Sequence, residues 1–141
     1  MVLLDTDIVS IHQPNAREYP TLVRRIAQYS ETVYVGSVSF EEQMRGWMAF
    51  AAKSKSPEGY VYATEKLQEL LTYYTSSSLL YFDDRAAAIF RGIKSLKPRG
   101  GTMDLRIAAI ALSHGATLVT RNIRDFVGIP SLKIEDWTKK D

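Results

Sequence analysis

Short apolar runs alternate along the chain with longer segments in which apolar residues recur every three or four positions. Runs of β-branched and aliphatic residues predict buried strands at Val2–Leu4, Thr32–Gly36, Leu79–Phe82 and Thr117–Thr120. A last short strand is predicted at Leu132–Ile134, before Trp137. The first run shows no alternation of polar and apolar residues, so we expect it to lie at the centre of the sheet, buried on both faces.

Helical spacing fills the segments between the strands. The predicted helices are a short one around Ile8–Ile11 that Pro14 ends, Ala16–Tyr29, a helix whose apolar stripe spans Met44–Ala52, Tyr60–Tyr74, Arg85–Leu96 capped by Asp83 or Asp84, and a helix from Asp104 to a C-cap at Gly115. The polar segments Lys53–Gly59 and Lys97–Gly101 contain glycine and proline and are predicted as connections.

Strands separated by helices require crossover connections, which build a parallel sheet covered on both faces. We therefore predict a three-layer α/β/α fold with a parallel central sheet of four to five strands. A chain of 141 residues without repeats or a long linker is expected to form a single domain over residues 1–141.

Composition restricts the chemistry that this fold can carry. The chain has no cysteine and two histidines, which excludes thiolate and histidine-rich metal sites. Any metal must be held by oxygen ligands, which suits Mg²⁺ or Mn²⁺. The formal net charge of +2 is too small for binding nucleic acid through bulk charge. We expect no membrane span and no secretory signal, hence a cytoplasmic protein.

Four carboxylates fall where strands end or helices begin. Asp5 ends the first strand, Glu42 lies in the first turn of the helix after the second, and Asp104 and Asp125 flank the fourth strand and its preceding helix. The carboxyl ends of parallel strands share one edge of the sheet, where ligands collect. Four converging carboxylates repel one another unless a divalent cation neutralises them. The pattern predicts a metal site that could activate a water for attack on phosphorus.

Each carboxylate also has a structural interpretation. Asp104 could complement the helix dipole, with Thr102 as N-cap. Ser39 and Glu42 have the spacing of a capping box, and Asp125 could cap a short turn. Asp5 is hardest to explain in this way, because a carboxylate at the end of an apolar central strand is costly without compensation.

Five segments together resemble the PIN-domain ribonucleases, and among them the VapC-type toxins of toxin–antitoxin pairs. The segments are LLDTDIVS at Leu3–Ser10, SVSFEEQMRG at Ser37–Gly46, GTMDLRIAAIAL at Gly101–Leu112, TLVTRNIRDF at Thr117–Phe126 and SLKIEDW at Ser131–Trp137. Their order and spacing cover essentially the whole chain. The resemblance implies the PIN fold, ribonuclease activity that leaves a 5′-phosphate and a 3′-hydroxyl, and an inhibitory antitoxin partner.

The resemblance also implies roles for particular residues. The acidic site would comprise Asp5, Glu42, Asp104 and Asp125, with Glu42 preferred to Glu41 because it lies four residues before Gly46. Thr6 matches the hydroxyl beside the first aspartate, and Asn122 the polar residue of the T-x-N motif. The chain departs from the family's D-T-N or D-T-S at Asp7, which either alters metal affinity or caps the helix.

Three functions are compatible with these features. The leading hypothesis is a Mg²⁺-dependent endoribonuclease whose RNA substrate is held by basic residues near the motifs, namely Arg45, Arg99, Arg106, Arg121 and Arg124. The D-x-D at Asp5 suggests a haloacid-dehalogenase-like phosphatase, although Ser10 is out of register for that class. A non-catalytic RNA-binding module would keep the fold and use the carboxylates only as caps.

The sequence also predicts an apolar surface for protein partners. The helix containing Met44, Trp47 and Met48, together with the aromatic helix Tyr60–Tyr74, offers more apolar surface than one small sheet needs. We expect part of it to form a homodimer contact or a groove for a helix of the cognate antitoxin.

Overall fold

The computed structural model describes residues 1–13 and 16–140. The elements follow one another as β1 (Val2–Leu4), α1 (Thr6–His12), a 3₁₀ turn (Ala16–Glu18), α2 (Pro20–Gln28), β2 (Val33–Gly36), α3 (Ser37–Lys53), α4 (Pro57–Thr75), β3 (Ser78–Leu80), α5 (Asp84–Ser95), α6 (Thr102–His114), β4 (Thr117–Val119), α7 (Ile123–Phe126) and β5 (Ile134–Glu135). The predicted end of the first helix at Pro14 lies outside the described residues. None of the helices described is long and apolar enough to cross a membrane.

The five strands form one parallel sheet in the order β3-β2-β1-β4-β5. β1 is central, with Val2 in register with Val33 of β2 on one side and Thr117 of β4 on the other. The predicted parallel sheet, its central first strand and the α/β class are therefore confirmed. The chain leaves β1 toward β2 and later returns to its other side as β4, so the strand order reverses between β1 and β4. Such a switch point opens a crevice beyond the strands' carboxyl ends.

Two apolar layers hold the helices against the sheet. On one face, Leu3 packs with Ile107 and Ile110 of α6 and with Phe126 of α7. On the other face, Val2 and Leu4 pack with residues of α1, α2 and α4, including Ile8, Val9, Leu22, Leu70 and Tyr74. Because successive residues of β1 point to opposite faces, this three-residue strand contributes to both layers. The residues that follow β1 are therefore anchored from both faces of the sheet.

The predicted helix Ala16–Tyr29 is wrong in its first third. A 3₁₀ turn at Ala16–Glu18 is followed by a break at Tyr19, whose backbone has φ −127° and ψ 65°. Tyr19 precedes Pro20, and the proline ring disfavours helical conformation in the residue before it. Pro20 then occupies the first position of α2, where its missing N–H costs nothing.

The predicted start of the third helix is also wrong. The helix α3 begins at Ser37, and extended Gly36, the last residue of β2, is its N-cap. Ser39 is thus the third helical residue, fully buried, and Glu42 lies in the second turn rather than the first. The Ser39–Glu42 capping box does not form, so capping no longer explains Glu42.

The other helix and strand boundaries differ from the predicted ones by at most a few residues. The helix α4 begins at Pro57 rather than Tyr60, because Ser56 caps the N–H of Gly59 with Pro57 at the first position. Asp83, not Asp84, caps α5. The N-cap of α6 is Gly101 rather than the predicted Thr102, whereas Gly115 ends the helix as predicted, in the left-handed conformation with φ 63°. β1 has its predicted bounds, and β2 and β4 are each one residue shorter than predicted. β3 begins one residue earlier and ends two residues earlier than predicted, and β5 is shifted to Ile134–Glu135.

Candidate active site at the carboxyl edge of the sheet

Asp5 lies directly after the central strand and is buried, with 3 % of its surface exposed. Its backbone N–H donates to the carbonyl of Val119 at 2.9 Å, which continues the pairing of β1 with β4 by one residue. One carboxylate oxygen accepts the N–H of Thr6 and the other accepts the hydroxyl of Thr120, both at 2.8 Å. Two strands and α1 therefore fix the orientation of this carboxylate.

Burial raises the pKa of Asp5 from 3.8 to about 6. The hydrogen bonds from Thr120 and Thr6 lower it, whereas the negative charges of Asp104 and Asp7 raise it further. Desolvation exceeds the stabilisation that the two hydrogen bonds give to the charged form. Asp5 is thus the costly carboxylate that its position after an apolar strand predicts.

Thr6 connects Asp5 to Glu42. While its N–H binds Asp5, its hydroxyl donates to Glu42 Oε1 at 2.7 Å and lies 2.8 Å from the hydroxyl of Ser39. A threonine hydroxyl has one proton, so Ser39 must be the donor in its contact with Thr6. The resulting chain runs from Ser39 through Thr6 to Glu42 and joins α1 to α3. Thr6 therefore supports two of the four predicted site carboxylates.

Asp104 and Asp125 approach the same edge from α6 and α7. Asp104 is the third residue of α6 and accepts the N–H of the N-cap Gly101 at 3.4 Å, so part of the predicted capping role is present. Asp125 lies in the short helix after β4, and its Oδ1 is 3.6 Å from Nε of Arg99. The two carboxylates are thus contacted by neighbouring residues of the α5–α6 connection.

The electrostatic interactions show that the four carboxylates form one cluster. Burial raises the pKa of Asp104; the Gly101 N–H lowers it, and the charges of Asp125 and Glu42 raise it further. Asp104 in turn raises the pKa of Asp5. Asp104 therefore interacts unfavourably with each of the other three, so the structure brings the predicted acidic residues together around it.

The donor chemistry of this cluster fits a hard divalent cation, because carboxylate and hydroxyl oxygens are the ligands that Mg²⁺ and Mn²⁺ prefer. Within residues 1–13 and 16–140, no three histidine or acidic side chains close around a common point that could hold a metal. Mg²⁺ commonly takes only one or two carboxylates and completes its shell with water and phosphate. The cluster therefore fits an open, water-completed site and does not fit a closed cage.

The extra aspartate at position 7 is neutralised by an arginine. Both oxygens of Asp7 accept from Arg121, at 2.7 and 2.9 Å, and the Arg121 guanidinium also donates to the Tyr19 hydroxyl at 3.1 Å and lies 5.4 Å from the centre of its ring. These contacts join α1 to the connection after β4. Asp7 consequently contributes less repulsion to the acidic cluster than its sequence position suggests. In the same connection, the N–H of Asn122 donates to Thr120 Oγ1 at 3.0 Å.

Three of the five predicted RNA-binding arginines gather beside Asp125. Arg99, Arg121 and Arg124 line a cleft of about 420 Å³ with Asn122 and Lys139. The other two lie elsewhere in the structure. Arg45 is exposed on α3 and paired with Glu41 four residues earlier, and Arg106 is partly buried in α6 with its Nη1 3.1 Å from the sulfur of Met103.

Several supporting residues were not found from the sequence. Thr120 holds Asp5, Ser39 holds Thr6, and Lys139 completes the basic cleft. Thr120 belongs to the quoted T-x-N segment, so a signal existed for it. Ser39 has the spacing of a helix cap in the sequence, and Lys139 lies in a polar tail without a pattern.

Comparison with known proteins agrees with this fold. The PIN domain matches residues 2–130. "Ribonuclease VapC2" of Haemophilus influenzae is 33 % identical over 139 residues, covering 96 % of both chains. "tRNA(fMet)-specific endonuclease VapC" of Salmonella typhimurium is 29 % identical with the same coverage. The crystal structure of DNA-bound VapBC from Salmonella typhimurium superposes with a TM-score of 0.75 at 28 % identity, covering 97 % of this chain and 99 % of that one.

A parallel α/β/α sheet with an acidic cluster at its switch point, matched by that domain over almost its full length, defines the class: the chain belongs to the PIN-domain family. Within the family it is similar to the VapC ribonucleases, as the sequence segments at Leu3–Ser10 and Thr117–Phe126 predict.

Proposed function

We propose that the chain is a Mg²⁺- or Mn²⁺-dependent endoribonuclease that acts in the cytoplasm as the toxin of a type II toxin–antitoxin pair. The observation that carries the proposal is the convergence of Asp5, Glu42, Asp104 and Asp125 at the switch point of a PIN fold. Relatives named as VapC ribonucleases along nearly the whole chain support the choice of RNA as substrate.

The chain's residues divide into holding and positioning roles. Asp5 and Asp104, whose pKa values burial and like charge raise, would hold the cation, with Glu42 and Asp125 completing the negative site. The cation would neutralise these carboxylates and the RNA phosphate and activate a water for attack on phosphorus. Thr6 and Thr120 orient the carboxylates through hydrogen bonds of 2.7 to 2.8 Å. Asn122 sits beside Thr120 and supports the same edge.

The basic cleft would hold the RNA backbone. A carboxylate cluster repels phosphate, so cationic side chains must supply the attraction. Arg99, Arg124 and Lys139 line the cleft next to Asp125, and Arg121 is held there by Asp7 and Tyr19. The cleft would therefore place a neighbouring phosphate within reach of the acidic cluster.

Replacement of Arg124 and Lys139 by alanine, singly, is expected to raise KM for RNA while leaving kcat at saturating RNA nearly unchanged. The slope of log affinity against log salt concentration should fall by about 0.7 for each lost contact to a single strand. Lys53→Ala is the control, because Lys53 is exposed at the end of α3 and does not line the cleft. Equal salt slopes for all three variants and the parent would remove the cleft from RNA binding.

Exposed apolar side chains on α3 and α4 supply a surface for partners. Met48, Phe50 and Tyr62 are 57 %, 45 % and 47 % exposed, and Trp47 packs edge-on against Phe50 and Tyr62 with ring centres 5.6 and 5.7 Å apart. Large exposed apolar patches mark interaction surfaces. We assign this surface to a homodimer contact or to a helix of the cognate antitoxin, in keeping with structural relatives that are VapBC assemblies.

The function is tested by incubating pure protein with separate pools of tRNA, rRNA and mRNA, with Mg²⁺ and with EDTA. We expect cleavage of at least one pool with Mg²⁺, giving products with 5′-phosphates, and none with EDTA. Undiminished cleavage in EDTA would refute the metal dependence. Intact RNA in every pool, with protein that is folded and Mg²⁺ present, would favour the non-catalytic RNA-binding alternative.

The phosphatase alternative predicts a covalent phosphate on Asp5. Both of its oxygens are engaged by Thr6 and Thr120, and Asp7, the second aspartate of the D-x-D, is paired with Arg121. These contacts do not favour Asp5 as a free nucleophile or Asp7 as the acid beside it. The match to the PIN domain supports the ribonuclease instead.

A further inference from the structure

Three consecutive residues of the α5–α6 connection lie against Asp104 and Asp125. Arg99 places its Nε 3.6 Å from Oδ1 of Asp125. Gly101 donates its N–H to Oδ2 of Asp104 at 3.4 Å. Gly100 lies between them, with its backbone against both aspartates. The connection therefore bridges two acidic residues that come from different helices and are 21 positions apart in sequence.

Gly100 has no room for a side chain at this bridge. A methyl group there would lie 2.9 Å from the backbone carbonyl oxygen of Asp125, 3.2 Å from Cβ of Asp104 and 3.5 Å from its Oδ2. Ordinary van der Waals contacts of a Cβ lie between 3.4 and 4 Å, and a real Cβ essentially never lies within 3.0 Å of such a neighbour. The nearest obstacle is backbone, which cannot rotate away as a flexible side chain could. A side chain at position 100 would force α7, the start of α6 or both to move.

We infer that Gly100 is a positioning residue, whose missing side chain lets α6 and α7 approach closely enough to place Asp104 and Asp125 in one cation-binding site. This inference rests on the proposed metal-dependent activity. Two contacts flank it, the Arg99–Asp125 ion pair to α7 and the Gly101–Asp104 hydrogen bond at the start of α6, so the connection is tied to one of the two helices on each side of Gly100.

The required precision explains why one methyl group matters. A functional constellation must be held within about 0.5 Å of its productive geometry. Relieving a 2.9 Å contact to an ordinary van der Waals distance requires a displacement of that order. The substitution removes no carboxylate and no hydrogen-bonding group, so its effect reports on spacing alone.

The test compares the Mn²⁺ concentration that half-maximally raises the melting temperature, without RNA, in the parent and in Gly100→Ala. We expect Gly100→Ala to need about tenfold more Mn²⁺. With Mg²⁺ present, its kcat for RNA cleavage should fall 10- to 100-fold with KM nearly unchanged, as displacements of about 1 Å do. Gly128→Ala is the matched control: Gly128 follows α7, and a methyl group there meets nothing within 4 Å.

A second variant adds no bulk and covers the case in which Gly100→Ala fails to fold. Inserting one glycine between Gly100 and Gly101 lengthens the bridge, and exposed connections tolerate such insertions at small cost in loop entropy. The insertion should also raise the Mn²⁺ concentration for the half-maximal melting shift by about tenfold. Parent-like Mn²⁺ binding in folded Gly100→Ala would overturn the role of the missing side chain at Gly100. Parent-like Mn²⁺ binding in the insertion variant would overturn the close approach of the connection to both aspartates, on which that role depends. Absence of any Mn²⁺ effect in the parent would instead refute the proposed metal site.

Discussion

Asp5→Asn is expected to stabilise the metal-free protein above neutral pH while abolishing RNA cleavage. The carboxylate is buried and its pKa rises from 3.8 to about 6 on folding. A difference of this size corresponds to about 3 kcal/mol of destabilisation where the group is ionised in both states. Asparagine removes the charge and retains an acceptor for the Thr6 N–H and an amide facing Thr120.

The sign of the pH dependence follows from the direction of the shift. Below 3.8 Asp5 is protonated in both the folded and the unfolded chain and affects stability little. As the pH rises toward about 6, the unfolded chain ionises first, so the folded protein loses stability relative to it. Above about 6 the whole penalty is present. The advantage of Asp5→Asn should therefore grow between these values and then level off.

Thermal melts in EDTA across this pH range measure the effect. At about pH 8 we expect Asp5→Asn to melt several degrees above the parent, since about 1 kcal/mol moves the melting temperature of a chain this size by roughly 3 °C. Asp84→Asn is the control: Asp84 is exposed in the first turn of α5, so loss of its charge at the helix N-terminus should destabilise slightly at about pH 8. A parent that is more stable than Asp5→Asn at about pH 8 would show that Asp5 serves mainly as a structural acceptor.

Glu42→Gln is expected to reduce RNA cleavage by about 100-fold or more without lowering stability. Glutamine keeps the oxygen that accepts the Thr6 hydroxyl at 2.7 Å, and it removes a charge that raises the pKa of Asp104. The amide cannot neutralise a cation or accept a proton, and loss of such a group typically costs a factor of about 100 to 10,000. Because α3 begins at Ser37, a change at Glu42 does not disturb a helix cap.

The adjacent glutamate is the matched control. Glu41 is exposed and paired with Arg45, so Glu41→Gln should cost no more than about 0.5 kcal/mol of stability and leave cleavage near the parent rate. Melting curves and initial cleavage rates of both variants decide the matter. Loss of activity in Glu41→Gln together with full activity in Glu42→Gln would mean that the acidic site uses the other residue.

The sheet and the acidic edge could be predicted from the sequence because their signals are local. The apolar run Val2–Leu4 needs burial on both faces, and the observed central strand has these bounds. Asp5 directly follows this run, where a carboxylate is costly without compensation, and that cost indicates a functional role from the sequence alone. In a parallel sheet the carboxyl ends of β1 and β4 lie at the same edge. Asp5 and Asp125, which follow these two strands, therefore lie at that edge too.

The supporting contacts could not be predicted because they depend on residues far apart in sequence. Ser39 has the local pattern of a helix cap, and only its contact with Thr6, 33 residues away, reveals its actual role. Thr120 reaches Asp5 across 115 residues. The close approach at Gly100 depends on where α7 lies, and the bidentate pairing of Asp7 with Arg121 depends on both strands ending together. The break at Tyr19, by contrast, had a local signal in Pro20.

The most direct test of a cation-dependent acidic site is reconstitution on one cleaved RNA. Protein freed of metal with EDTA and then dialysed is mixed with the RNA, and Mg²⁺ is added in steps to the parent and to Asp5→Asn. We predict no cleavage before addition, saturable recovery in the parent, and no recovery in Asp5→Asn at any Mg²⁺ concentration. Parent cleavage that is complete before Mg²⁺ is added, or equal recovery in Asp5→Asn, would contradict the assignment.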